Sequence, residues 1–248
     1  MLDLEIIGQG ATTTIYRDGN KAVKLYANAP PNAAEHEAAR QQFAISSGLT
    51  VPAVIGVRQV NDNAVALDME YVNGKPLMQP KMSKDERRDA IDVLVKLQCE
   101  VHKVTAIGQP EQVSKLVHNI KHTQYILASE KVKLLAALKR LDTNANNLCH
   151  GDFHPLNILY DGSKYWIIDW VDATAGSPLA DACRTYLIFK QFITCQAEIY
   201  LQTFCKEANV KMNDILAWMP IIAAARLNEN MEGSLRTWLL DIINTEHL

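Results

Sequence analysis

The stretch His150-Gly151-Asp152-Phe153-His154-Pro155-Leu156-Asn157-Ile158-Leu159 constrains this chain more than any other feature. Twelve residues after Asn157 it is followed by Asp169, in Trp166-Ile167-Ile168-Asp169-Trp170. Gly151 and Pro155 disfavour a helix, so the motif reads as two short loops joined by a hairpin. A carboxylate, an amide and a second carboxylate placed this way can hold Mg²⁺ and orient a hydroxyl against a nucleoside triphosphate. The residue types therefore imply phosphoryl transfer, and a fold able to bring a nucleotide to these loops.

The rest of the chain has two textures. Leu4 to Ile7, Thr12 to Tyr16, Ala22 to Tyr26, Ala53 to Val60 and Ala64 to Tyr71 read as strands, with turns at Asp18-Gly19-Asn20 and Asn61-Asp62-Asn63. One helix interrupts them, opening after Pro30-Pro31 and closing at Gly48, with Ala34, Ala38, Phe43 and Ile45 as its expected apolar side. After Asn73-Gly74-Lys75-Pro76 the pattern turns helical. Ser83-Lys84-Asp85-Glu86 is a capping box, and helical segments follow to about Val104, at about 110–127 and 129–141, and from Pro178 almost to the end. The expected fold is α+β and bilobal: a small antiparallel β-rich N-terminal lobe and a larger, mainly helical C-terminal lobe. The expected divisions are a nucleotide-binding lobe at 1–72, a connector at 73–80, and a helical lobe at 81–248 carrying the catalytic loop and the acceptor site.

Composition removes other function classes. The net charge of -3 supplies no basic footprint for nucleic acid, and no Lys/Arg run stands beside an amphipathic segment. Ile215 to Leu227 is too short for a membrane span and carries Pro220 and Arg226, so it reads as a core helix. Neither nucleic acid nor membrane is expected as a partner. The N-terminus lacks a basic and apolar leader pattern, and the five cysteines are scattered and odd in number. Reduced thiols and a cytoplasmic location are the expectation.

The N-terminal region holds a candidate nucleotide site. Gly8-Gln9-Gly10 is followed by Thr13 where a dinucleotide fingerprint would need glycine, and the continuation favours strand, so the Rossmann reading fails. Two glycines between strands can lay backbone amides over phosphates, or can form an ordinary hairpin turn. Lys24 is centred in the strand Ala22-Val23-Lys24-Leu25-Tyr26 and could reach phosphates, with Glu37, in preference to Glu35, fixing its ammonium. Taken singly, each could be a solvated surface charge. Their order of loop, lysine strand and glutamate helix favours the joint reading.

The catalytic stretch, with Ile168-Asp169-Trp170 and Pro178-Leu179-Ala180-Asp181, closely resembles the aminoglycoside phosphotransferase and choline kinase-like superfamily, which shares the protein-kinase fold. Val23-Lys24-Leu25, Glu37-Ala38-Ala39, Val51-Pro52 and Met69-Glu70-Tyr71-Val72-Asn73-Gly74 follow in the family's order, so the resemblance spans most of the chain. It implies an ATP- and Mg²⁺-dependent transfer of the γ-phosphate to a hydroxyl of a small molecule. Asp152 would be the catalytic base or positioning group, and Asn157 and Asp169 the Mg²⁺ ligands. Lys24 would neutralise phosphate charge, with Gly8, Gly10 and Glu37 in the same cofactor site. Backbone groups of Glu70 and Val72 would meet the adenine, and Asp181 would brace the catalytic loop.

Zinc readings fail on spacing: His36-Glu37-Ala38-Ala39-Arg40 has arginine where the second ligand belongs, and His118 and His122 read as a solvated helix face. Only eight residues separate Asp169 from Pro178, leaving no room for a long activation loop, so a protein acceptor is disfavoured. Acceptor identity stays open among aminoglycosides, choline or ethanolamine and other hydroxylated metabolites. The pocket is expected against the C-terminal helices, where Glu229, Glu232 and Asp241 mix with Arg226 and Arg236 and residues 178–248 carry a net charge of -2. Trp170, Tyr186, Trp218 and Trp238 are the candidates for an aromatic cage or for core. A nucleotide-binding regulatory pseudokinase and, less favoured, a protein Ser/Thr kinase remain as alternatives. ATP versus GTP and the oligomeric state are not fixed by the residues.

Overall fold

The computed structural model describes residues 4–10, 13–141, 143–229 and 232–245. In chain order the elements begin with strands β1 (Glu5–Gln9), β2 (Thr13–Asp18) and β3 (Lys21–Ala27), helix α1 (Ala33–Ser46), and strands β4 (Val54–Asn61), β5 (Ala64–Glu70) and β6 (Lys75–Pro76). Helices α2 (Lys84–His102), α3 (Gln112–His122) and α4 (Ala128–Leu138) lead to β7 (Asn147–Cys149) and one 3₁₀ turn, Pro155–Asn157. Strands β8 (Ile158–Tyr160), β9 (Tyr165–Ile167) and β10 (Thr174–Gly176) come next, and helices α5 (Pro178–Phe192), α6 (Thr194–Ala208), α7 (Met212–Leu216), α8 (Met219–Arg226) and α9 (Gly233–Thr245) finish the chain. The N-terminal strands, interrupted by α1, give way to helices as the sequence pattern requires, with β7 to β10 returning between α4 and α5, and the fold is α+β. The first residue of the expected Thr12 to Tyr16 strand lies outside the described residues.

The chain divides into two compact units, residues 1–79 with 155–172, and 80–154 with 173–248. The division falls between His154 and Pro155, inside the ten-residue motif.

In the first unit a five-stranded antiparallel sheet has the order β1-β2-β3-β5-β4. Lys24 of β3 stands opposite Ile15 and Leu67. Ala22, Tyr26, Ala34, Leu67 and Met69 form the packed core on which α1 rests, each large apolar side chain contributing roughly 1.5–3 kcal/mol by leaving water. The buried stripe of α1 is Ala34, Glu37, Gln41 and Ala44, whereas the expected Ala38, Phe43 and Ile45 are only partly buried. Apolar content alone misplaced the stripe, because two of its buried positions are polar and hydrogen-bonded: Gln41 donates to the Pro52 carbonyl at 2.7 Å, and Glu37 meets Lys24. A second sheet, β6-β8-β9, belongs to the same unit. Its hairpin register pairs Ile158 with Ile167.

The second unit is helical, with a short antiparallel pair of β7 and β10. Ser83 caps α2 by accepting from the Glu86 amide, while the Glu86 carboxylate accepts from the Ser83 amide. Leu94, Val95, Leu134, Phe189, Tyr200, Leu201 and Trp218 are fully buried and form its core. The expected helix from Ile215 to Leu227 divides into α7 and α8, with Pro220 in the first turn of α8, where its missing N–H costs no helical bond. His118 and His122 are exposed on α3 and stack at 4.1 Å, as a solvated face. Among the described residues no helix is long and apolar enough to cross a membrane.

Candidate active site

In the first unit, β3 carries Lys24 inward, 4% exposed, against Glu37 on α1. The ammonium lies 2.9 Å from Glu37 and 2.9 Å from Asp169 Oδ1. Burial works against the Lys24 charge, but the two carboxylates outweigh it and raise its pKa above the ordinary lysine value. Burial lifts Glu37 to about 7 against the pull of Lys24, with Asp169 adding to the lift. One lysine thus sits between a buried and a half-exposed carboxylate, and its own charge is secure.

Asp169 follows β9 with φ of 65°, a left-handed conformation that a short polar side chain tolerates. The Ile168 amide donates to the Asn157 carbonyl at 3.0 Å, so the hairpin β8–β9 fastens the two predicted metal-binding residues to its open end. Arg40 of α1 donates to the Val171 carbonyl at 2.6 Å and secures the segment after Asp169. Asp169 and the buried Asn157 offer oxygen donors, the type Mg²⁺ prefers, and the 34% exposure of the Asp169 side chain keeps it reachable. The residues present fit such an ion.

The glycine loop is partly committed to its own turn. Gly8 faces Ile15, where an added Cβ would lie 3.3 Å from that side chain, and the Gly10 amide donates to the Thr13 carbonyl at 2.8 Å. Ala11 and Thr12, in the middle of the loop, lie outside the described residues. At the end of β5 the Glu70 amide donates to the Ala53 carbonyl, and the Val72 carbonyl accepts from Gly74 at 2.9 Å. Two of the backbone groups at these connector positions are therefore already bonded.

In the second unit, Asp152 is half-buried, with His154 Nε2 3.3 Å from Oδ2 and its own amide donating to His150 Nδ1 at 3.3 Å. Burial opposes its charge, but the His154 hydrogen bond and the charges of His154, Arg184 and His150 prevail. Its pKa therefore lies well below the usual carboxylate range. Gly151, at φ 81°, turns the loop so that its amide reaches Asp181 Oδ1 at 2.8 Å. Asp181, 2% exposed at the start of α5, also meets His102 Nε2 at 2.9 Å and Gln98 Nε2 at 3.3 Å, and Tyr200 donates to Gln98 at 2.7 Å. This closed network holds the loop to the helices. The Cys149 thiol lies beside His102 and Asp181, all three buried; His102 is already hydrogen-bonded to Asp181, and burial pushes the thiol pKa well above the ordinary value.

Sequence reasoning did not single out Arg184, which donates to the Gly151 carbonyl from α5. Its position three residues after Asp181, on the same helix face, was the available signal. The aromatic-cage expectation changes: Trp218 is 1% exposed and Tyr186 6%, both in the helical core, and Trp170 is fully buried in the first unit with Nε1 on the Ile167 carbonyl. These three rings are core.

The model of a family described as a phosphotransferase enzyme family matches residues 3–214. A search of curated proteins found no match. Among solved structures the chain is similar to a thermostable mutant of aminoglycoside phosphotransferase APH(4)-Ia in ternary complex with ADP and hygromycin B. That similarity has a TM-score of 0.69 at 16% identity and covers 98% of this chain and 90% of the other. It is likewise similar to choline kinase LicA from Streptococcus pneumoniae, with a TM-score of 0.69, 14% identity, and coverage of 98% and 94%. A choline/ethanolamine kinase family protein from Mesorhizobium loti gives 0.65 at 19%, covering 97% and 85%. At these identities the likeness establishes the fold.

Proposed function

Since the chain belongs to the phosphotransferase enzyme family, we propose that it moves the γ-phosphate of ATP to a hydroxyl of a small molecule. The observation that carries this reading is the buried Lys24, held at 2.9 Å by both Glu37 and Asp169. A cation enclosed by two carboxylates is pre-positioned for phosphate oxygens, and the solved relative with bound ADP supports a nucleotide as its partner.

Residues 1–72 form the nucleotide-binding lobe, 73–80 the connector and 81–248 the lobe for the acceptor. Backbone at Gly8 and Gly10 covers the phosphates, Lys24 neutralises their charge, and Glu37 fixes Lys24. The Glu70 carbonyl and the Val72 amide meet the adenine. Asn157 and Asp169 would hold magnesium, which would offset charge on the phosphoryl oxygens. Asp152 accepts the hydrogen bond of the acceptor hydroxyl. Its depressed pKa keeps the carboxylate charged, as an acceptor that orients the hydroxyl needs to be. Eight residues between Asp169 and Pro178 are too few for a peptide-docking activation loop, which favours a small acceptor.

The test is ADP release from ATP with magnesium across a panel of aminoglycosides, choline, ethanolamine, sugars and amino-acid alcohols. At least one acceptor should be turned over by the wild type and not by Asp169→Ala. ATP binding with no turnover on any acceptor would instead favour a regulatory nucleotide-binding role.

A further inference from the structure

Cations gather around Asp152 within the helical unit. Arg184 donates through Nε to the Gly151 carbonyl and through Nη1 to Glu229 Oε1 at 2.5 Å. Arg226, the last residue of α8, donates through Nε to Glu229 Oε2 at 3.3 Å and through Nη2 to Gln191 Oε1 at 2.9 Å. Glu229 therefore already has a guanidinium on each oxygen. Arg226 is 5% exposed, and its Nη1 is buried without a hydrogen-bond partner. Burial and the neighbouring Arg184 lower the Arg226 pKa, while Glu229 and the Asp152 carboxylate act on it in the opposite sense. Through Glu229 and Arg184, Arg226 is linked to the Gly151 carbonyl, next in the chain to the carboxylate proposed to face the acceptor hydroxyl.

A buried guanidinium N–H without a partner destabilises the protein by itself. Beside a group that orients a ligand, it is suited to receive a ligand oxygen, and an anionic oxygen best. A polycationic acceptor would meet two arginines whose shared carboxylate is already paired with both of them. For a quaternary ammonium, two of the candidate cage rings, Tyr186 and Trp218, are spent in the core.

We propose that the phosphate acceptor carries a carboxylate or phosphate group in addition to its hydroxyl, and that Arg226 receives this group through Nη1 while the hydroxyl lies against Asp152. This rests on the phosphotransfer reading above and extends it to the class of acceptor.

The test titrates the full-length protein, saturated with magnesium and ADP, by calorimetry. Glycerate and glycerol 3-phosphate separate carboxylate from phosphate, and glycerol and choline serve as neutral and cationic alcohols of similar size. At least one anionic alcohol should bind tenfold or more tightly than both glycerol and choline. Arg226→Gln should reduce that preference at least tenfold, and Arg226→Lys should retain part of it. Structural damage would weaken all four compounds alike, so the preference isolates the contact. No preference among the four, or one unchanged in Arg226→Gln, would overturn the proposal. Anion-selective binding without phosphate transfer to any bound alcohol would leave the anion site standing and count against phosphotransfer. Transfer to choline with no anion preference would do the reverse.

Discussion

Lys24 decides how the first unit tolerates two carboxylates at one place. Replacing it with methionine leaves Glu37 buried beside Asp169 without a cation. The expected loss is roughly 3 kcal/mol of stability, read by urea unfolding, and Lys24→Met combined with Glu37→Gln should lose less than the single change. Glu37 supplies a pH test of the same pair. Its folded pKa is raised from 4.5 to about 7, so the fold binds the extra proton, and the associated stability is fully present below about pH 4.5 and lost as pH rises through 7. The stability difference between wild type and Glu37→Gln should therefore change by on the order of 3 kcal/mol from pH 4.5 to about pH 8. A flat difference would show that Glu37 does not titrate there. The pairing of Lys24 with Glu37 was legible in the sequence because a lysine strand followed by a glutamate helix carries it in a fixed order. The contacts of Arg184 with the Gly151 carbonyl and with Glu229 were not, because they depend on where α5 ends up.

At the scale of elements, the Ser83 capping box was readable because both its partners lie within four residues. Ser83→Ala should cost about 1 kcal/mol, measured as a lowered midpoint of chemical unfolding with unchanged slope. The stripe of α1 was misread because Glu37 and Gln41 face inward for hydrogen bonds that come from β3 and from Pro52. The close approach of β10 to α3 was also invisible: a Cβ on Gly176 would lie 2.4 Å from Gln112 Cβ. Since the Gln112 carboxamide also accepts from the Ser177 amide at 2.9 Å and holds that side chain in place, Gly176→Ala should cost roughly 1–3 kcal/mol, measured by urea unfolding.

For the whole molecule, the order of strands before helices follows from the change in periodicity, and the protein-kinase-like fold matches what the motif requires. The division of the chain into compact units inside the motif was not readable, because it depends on long-range packing of 155–172 with the N-terminal residues. The central claim is transfer of the terminal phosphate of ATP to a small hydroxylated molecule. It is tested most directly by incubating the wild type and Asp152→Asn with γ-labelled ATP, magnesium and a cell extract, then separating label by molecular size. Asp152→Asn keeps the side chain's shape and removes its charge. The account predicts label in a low-mass phosphate ester with the wild type and a rate lowered about 10²–10⁴-fold by the substitution. Label entering protein, or a small-molecule ester formed equally fast by Asp152→Asn, would contradict it.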